Sequence, residues 1–208
     1  MRLNLGCGTT HFPLNQEDIG NYEWRYALPH TVVTESDWIN VDKVDLPGVD
    51  EVVELFRYPW PWESNSVEEI WASHLIEHIP HDADIISPGR DGKLDKAASI
   101  DGWFAWFYEA WRVLKTGCAI HIITPYAFSF DAMVDPTHRR YIIPASFSYF
   151  ADPDENATFD YGVPFRFAAR GDVQMSIPDT ARANKYDIFG VNVFKNLSVT
   201  LEALKDAD

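Results

Sequence analysis

A chain of 208 residues, 46% hydrophobic and 24% charged, is long enough to bury one sizeable α/β core. Its net charge of −15, with no basic cluster denser than Arg139-Arg140, works against a duplex nucleic-acid partner, whose phosphates it would repel. The two cysteines, Cys7 and Cys118, give no disulfide framework and fit a reducing, cytoplasmic setting; no apolar run is long enough to span a bilayer, and with Met1 leading straight into a strand no secretory leader is expected.

Leu3-Asn4-Leu5 alternates like the end of a buried strand, and Gly6-Cys7-Gly8 follows it. Glycine has no Cβ, so a ligand can lie directly against such a turn. A lone G-x-G is shared with dinucleotide sites and with turns that bind nothing. Here Thr9, Thr10 and His11 do not complete G-x-G-x-x-G, which disfavours a dehydrogenase. Residues 9–37 are irregular, broken by Pro13, Gly20 and Pro29. Trp38–Asp42 reads as a strand ending in an acid, Asp45–Gly48 as a turn, and Val49–Leu55 as another short strand ending near Glu54. Pro59-Trp60-Pro61-Trp62 is a rigid loop. Val67–Ser73 is a strand, His74–Ile79 a short helix stopped by Pro80, and 80–100 a polar loop.

The strongest helical signal follows. Asp101 is a candidate N-cap, and Trp103, Phe104, Trp106, Phe107, Ala110, Trp111 and Leu114 recur at three- and four-residue steps. Lys115 would sit in the last turn, with Gly117 as a left-handed C-cap. Ala119–Thr124 is an apolar strand stopped by Pro125. Residues 126–182 form an aromatic, proline-broken insertion inside a single domain, 1–208. Lys185–Val193 and Leu197–Leu204 alternate as two strands of a terminal hairpin. The predicted fold is a mostly parallel α/β sheet with helices on its faces and a C-terminal antiparallel hairpin.

Leu3–Gly8, Asn40–Asp42, Glu54-Leu55 with Pro59, Ser66–His78, Glu109–Gly117, Thr124-Pro125 and Asp135–His138 fall in one order along the first two thirds of the chain. That ordered set resembles the class I S-adenosylmethionine-dependent methyltransferases of the type 11-like branch. The resemblance implies a Rossmann-like sheet, S-adenosylmethionine as cofactor, and methyl transfer to an oxygen or nitrogen of a small molecule, sugar or glycan precursor. It implies that Leu5, Gly6, Cys7 and Gly8 approach the amino-acid part of the cofactor and that Asp42 accepts from both ribose hydroxyls. Glu54 would take the adenine amino group, the Leu55 backbone would meet the ring, and Ser73 and His74 would line the methionine side. A solvated strand-end acid at Asp42, a solvated loop carboxylate at Glu54 and a structural His74 are the plain alternatives. The chain departs from the branch in the length of 9–37 and in Cys118, which stands where a second glycine is usual. With no N-terminal lid expected, acceptor contacts fall to 80–100 and 126–182.

Methyl transfer to a hydroxyl needs a proton acceptor, and histidine suits that task by its ordinary pKa. His138 is the candidate, with Asp135 to orient it; a loop-locking histidine bonded to backbone is the alternative. Arg139, Arg140 and Tyr141 are candidates for holding an anionic or sugar-like group, or a solvated basic pair. The aromatic insertion (Phe128, Phe130, Tyr141, Phe147, Tyr149, Phe150, Phe159, Tyr161, Phe165, Phe167) reads as a pocket wall or as a satellite core. His74-Leu75-Ile76-Glu77-His78 also matches H-x-x-E-H, an inverted zinc-peptidase signature. Such a motif needs a long helix, and Pro80 cuts this one short, so no metal is expected and a zinc hydrolase ranks last. A cofactor-binding protein without turnover is the other alternative.

Overall fold

The computed structural model describes residues 1–14, 37–81, 87–88, 94–95, 101–151, 165–169, 174–175 and 194–205. The buried alternation of the first residues gives β1 (Arg2–Leu5), and Trp38–Asp42 forms β2 with the predicted bounds. The next strand is shorter than expected: β3 covers only Glu51–Val52. Its ladder ends because Glu54 starts a turn, accepting from the Arg57 amide at its carbonyl and from the Phe56 amide at its carboxylate. β4 spans Val67–Ser73, as read from the sequence.

The expected helix over His74–Ile79 is instead a single 3-10 turn at Ile76–His78. His74 has φ of 52°, a left-handed conformation that cannot begin a helix, and its amide donates to the Ile123 carbonyl. The polar loop over 80–100 contains a small ladder, β5 (Ser87–Pro88) against β6 (Leu94–Asp95).

Helix α1 (Gly102–Val113) is capped as predicted, Asp101 accepting from the Trp103 amide at 2.8 Å. Trp103, Trp106, Phe107, Ala110 and Val113 are buried, each large side chain contributing roughly 1.5–3 kcal/mol. The helix does not end at a glycine cap. Leu114 is already extended and opens β7 (Leu114–Pro125), so Lys115 and Gly117 lie in that strand, at an irregularity between the Val67–Leu114 and Glu69–Ala119 pairs. The carbonyls a C-cap would serve are taken from elsewhere: Asn65 and Ser66 amides reach Arg112 and Val113, and the Lys205 ammonium reaches Arg112 and Leu114.

Within 126–182 the described elements are α2 (Phe130–Val134), a 3-10 turn at Pro144–Phe147, α3 (Ser148–Ala151), β8 (Arg166–Ala169) and β9 (Gln174–Met175). β10 (Asn196–Leu204) is the last of the described strands; residues 185–193, the other arm of the expected hairpin, lie outside the described residues. Apart from the β5–β6 ladder, the described strands form one sheet in the order β3-β2-β1-β4-β7-β10-β8, with β9 also on β10. The first five run parallel, and β10 is antiparallel to β7, β8 and β9. The order runs outward in both directions from β1, so β1 and β4 flank a topological switch point, where open α/β sheets bind ligands beyond the strand ends.

Two buried carboxamides tie the glycine turn to the sheet. Asn4 donates to Asn40 Oδ1 and to the Thr10 carbonyl, each at 2.9 Å. Asn40 in turn accepts from the Phe12 amide at 2.7 Å and donates to its carbonyl at 2.8 Å. Asn40→Ala orphans several of these buried groups and is expected to lower unfolding free energy by about 3 kcal/mol, read from urea midpoints at constant slope.

Candidate functional site

The carboxyl ends of β1 to β4 surround a cavity of about 450 Å³. Its lining comprises Gly6, Asp42, Lys43, Val53, Glu54, Leu55, Phe56, His74, Leu75, His78, Pro80, Thr137 and Arg139. Of the sequence candidates, Gly6, Asp42, Glu54, Leu55 and His74 are therefore brought together on one wall. Leu5 and Cys7 are buried behind it, and Ser73 stays in the β4 ladder opposite Ile123.

Gly6 and Gly8 have φ of 65° and 52°. A Cβ on Gly6 would lie 2.9 Å from Leu75 Cδ1, whereas one on Gly8 would meet nothing within 4 Å. Both glycines are favoured by their left-handed backbone, and at Gly6 a Cβ would in addition press on the end of the Leu75 side chain. The Gly8 amide donates to Asp42 Oδ2 at 2.9 Å, and the Val44 amide donates to Oδ1 at 3.0 Å. A carboxylate offers about four lone-pair sites, so both Asp42 oxygens keep acceptor capacity toward the cavity. Leu55 is fixed by its carbonyl, which accepts from the Trp60 indole at 3.1 Å.

The other end of the cavity holds histidines. His78 lines it; His138 stands behind, its ring centroid 4.8 Å from that of His78, with its side chain only 8% exposed. His138 Nδ1 lies 3.0 Å from the Ala132 carbonyl, which only accepts, so Nδ1 carries the proton. Its Nε2 is 3.8 Å from Asp135 Oδ2. Asp135 is held below the ordinary carboxylate range by the hydroxyl and amide of Thr137, and secondarily by His138 and His78. Because the Thr137 hydroxyl donates to Asp135 at 2.7 Å, it accepts from His78 Nδ1 at 3.1 Å.

Arg139 lines the cavity, while Arg140 is structural, bonded to the Ile79 and Pro80 carbonyls and to Asp101. Among the described insertion aromatics, Phe147, Phe165 and Phe167 join the main core and Phe128, Phe130, Tyr141 and Tyr149 are exposed; none lines the cavity. Phe159 and Tyr161 lie outside the described residues, as does the side chain of Phe150. Sequence reasoning passed over His78, Thr137 and Leu75 as cavity residues. The pairing of H-x-x-E-H with Asp135-Pro136-Thr137-His138, two histidine-bearing stretches after neighbouring strands, is the signal that would have pointed to the first two.

No protein-family model matches the chain, and no curated protein sequence does. Solved structures do. The YcgJ protein from Bacillus subtilis aligns over 99% of this chain and 92% of its own, at 10% identity and a TM-score of 0.50. The 1,6-didemethyltoxoflavin-N1-methyltransferase of Burkholderia thailandensis, solved with S-adenosylhomocysteine, covers 98% of this chain and 71% of its own, at 9% identity and a TM-score of 0.49. An S-adenosylmethionine-dependent methyltransferase from Mesorhizobium loti covers 97% and 89%, at 13% identity and a TM-score of 0.47. At such identities the likeness is one of architecture alone: the chain shares with the YcgJ protein a Rossmann-like α/β fold, a mostly parallel sheet with antiparallel strands at one edge.

Burial, and then the Asp42 charge, push the Cys7 thiol up to about 11, so it stays protonated and unreactive well above neutral pH. Iodoacetamide at pH 8 should therefore leave Cys7 intact in the native protein and alkylate it in urea, as read by peptide mass spectrometry; equal labelling in both states contradicts this.

Proposed function

We propose that this chain binds S-adenosylmethionine in the switch-point cavity and transfers its methyl group to an oxygen or nitrogen of a small-molecule or sugar acceptor. The observation that carries the reading is the Gly8–Asp42 hydrogen bond, which joins the glycine turn and the strand-end acid in one cavity. In this reading Leu5, Gly6, Cys7 and Gly8 offer backbone to the amino-acid end of the cofactor. Asp42 spends its free lone pairs on the ribose hydroxyls, Glu54 and Leu55 hold the adenine, and Ser73 and His74 bound the methionine side. The cavity volume of about 450 Å³ falls in the ordinary range for small-molecule sites.

The reaction is an in-line displacement. Bound S-adenosylmethionine would supply the methyl group: the acceptor's lone pair would bond to the methyl carbon as the carbon–sulfur bond breaks and its electron pair passes to sulfur, while the acceptor's O–H or N–H proton would pass to a base at the His78 end. The chain's contribution is alignment and exclusion of water. The acceptor is activated at the His78 end, where His138 and Asp135 stand behind the cavity wall and Arg139 supports an acceptor bearing an anionic or sugar-like group.

Two measurements test this. Calorimetric titration with S-adenosylhomocysteine should show saturable binding that Asp42→Ala weakens by roughly 10-fold or more, the scale of lost hydrogen bonds to a charged group; absence of binding by the wild type overturns the reading. His138→Ala should lower turnover roughly 100-fold while leaving cofactor affinity near wild type, whereas loss of the folded state makes His138 a structural residue.

A further inference from the structure

H-x-x-E-H lacks the long helix that such a metal motif needs, and only a 3-10 turn spans Ile76–His78. The residues nevertheless assemble differently. His74, in its left-handed conformation, is half exposed, whereas Glu77, His78 and His138 each bring one ligand-type atom within 4.8 Å of the others. The third member comes from beyond β7, 60 residues along the chain from His78.

Three features of this cluster are those of a metal site. Both imidazoles are held by their Nδ1 protons, His138 on the Ala132 carbonyl and His78 on Thr137, which in the neutral rings leaves the lone pair on Nε2. Orientation of a ligating histidine by an oxygen acceptor on its other nitrogen is the usual second shell of such sites. Glu77 is 1% exposed, and its Oε2 accepts from the Thr124 hydroxyl at 3.1 Å. Its Oε1 is buried without a hydrogen-bond partner; His74 Nδ1 is 3.4 Å away but outside hydrogen-bond geometry. A buried carboxylate oxygen left unpaired is costly unless a cation or donor meets it.

We propose that Glu77, His78 and His138 bind one divalent transition-metal ion beside the cavity that His78 lines. Two imidazole nitrogens and one carboxylate oxygen suit zinc or a neighbouring first-row ion better than magnesium or calcium, which favour oxygen alone. The Asp135 carboxylate beside His138 adds favourable charge. The inference rests on the proposed methyl transfer only for its purpose: an ion there holds the acceptor by a lone pair at the His78 end of the cofactor cavity. The binding itself stands apart from that activity.

The experiment is titration of chelator-stripped, purified full-length protein with zinc chloride, by calorimetry and by competition with a chromogenic chelator. Wild type should take up one zinc per chain. His138→Ala and Glu77→Gln should each weaken uptake roughly 10-fold or more, and His81→Ala should leave it within about two-fold, because the exposed His81 is outside both the cluster and the cavity lining. Far-UV circular dichroism identifies any variant that fails to fold, in which case the other one carries the test. Failure of wild type to bind zinc, uptake unchanged in both folded variants, or loss on His81→Ala alone overturns the proposal. Parallel titration with S-adenosylhomocysteine keeps the two readings separate: cofactor binding without zinc uptake rejects only the metal site, and zinc uptake without cofactor binding rejects only the methyltransferase.

Discussion

One face of β2 clamps the glycine turn twice, and the cavity depends on that clamp. Asn40 and Asp42 are two residues apart in a strand, so their side chains leave on the same side of the sheet. Asn40 grips the far arm of the loop at Phe12, and Asp42 grips the near arm at the Gly8 amide. Asn4, one strand over, is paired with Asn40 in register and donates to its Oδ1 and to the Thr10 carbonyl. Buried amides stay buried only when paired, so this network fixes the path of residues 6–12 more firmly than apolar packing would. The left-handed glycines then have one direction to turn, toward Asp42.

The Glu54-Leu55 part of the lining is set from further away. Glu109 on α1 is buried, accepts from the Trp60 amide at 2.6 Å and holds Arg112 through two nitrogens at 2.8 Å. Arg112 reaches on to the Trp60 and Trp62 carbonyls, and the Trp60 indole reaches Leu55. A chain of charge-assisted bonds thus runs from the helix through the Pro59–Trp62 loop to the cavity lining. The rigid loop is the strut between α1 and Glu54-Leu55. It also explains why a glutamate and an arginine three apart stand on an otherwise aromatic helix.

Much of this was legible in the sequence where the determinant is local. β2 and β4 have the bounds that alternation predicts, and Asp101 caps α1 because the residues after it carry an apolar stripe. What escaped depends on partners distant in the chain. Gly117 reads as a helix cap, but Lys205 and the amides of Asn65 and Ser66 serve those carbonyls and let α1 pass directly into β7. His74–Ile79 reads as a helix, but the sheet takes the His74 amide at Ile123 and the strand after it takes Glu77 at Thr124. At the candidate site the glycine turn and Asp42 were visible as motifs. The nearness of His78 to His138 was not, since it arises only when the loop after β7 folds back to bring the Arg139 and Arg140 amides onto the Glu77 carbonyl.

That fold-back concentrates charge where an acceptor would approach. Glu77 and Asp135 are two carboxylates flanking two imidazoles, and among the described lining residues Lys43 and Arg139 carry fixed positive charge, Arg139 directly after this stretch. A neutral-imidazole cluster with two acids would repel an anionic acceptor at short range, in a partly enclosed site where screening is weak. A divalent ion among the same ligands cancels both acids, leaving Arg139 as the net charge facing the acceptor. In the proposed metal-bound state the chain, acidic overall, would carry positive charge at the His78 end, and Glu77 Oε1, which has no hydrogen-bond partner and only His74 Nδ1 at 3.4 Å, would gain a cation.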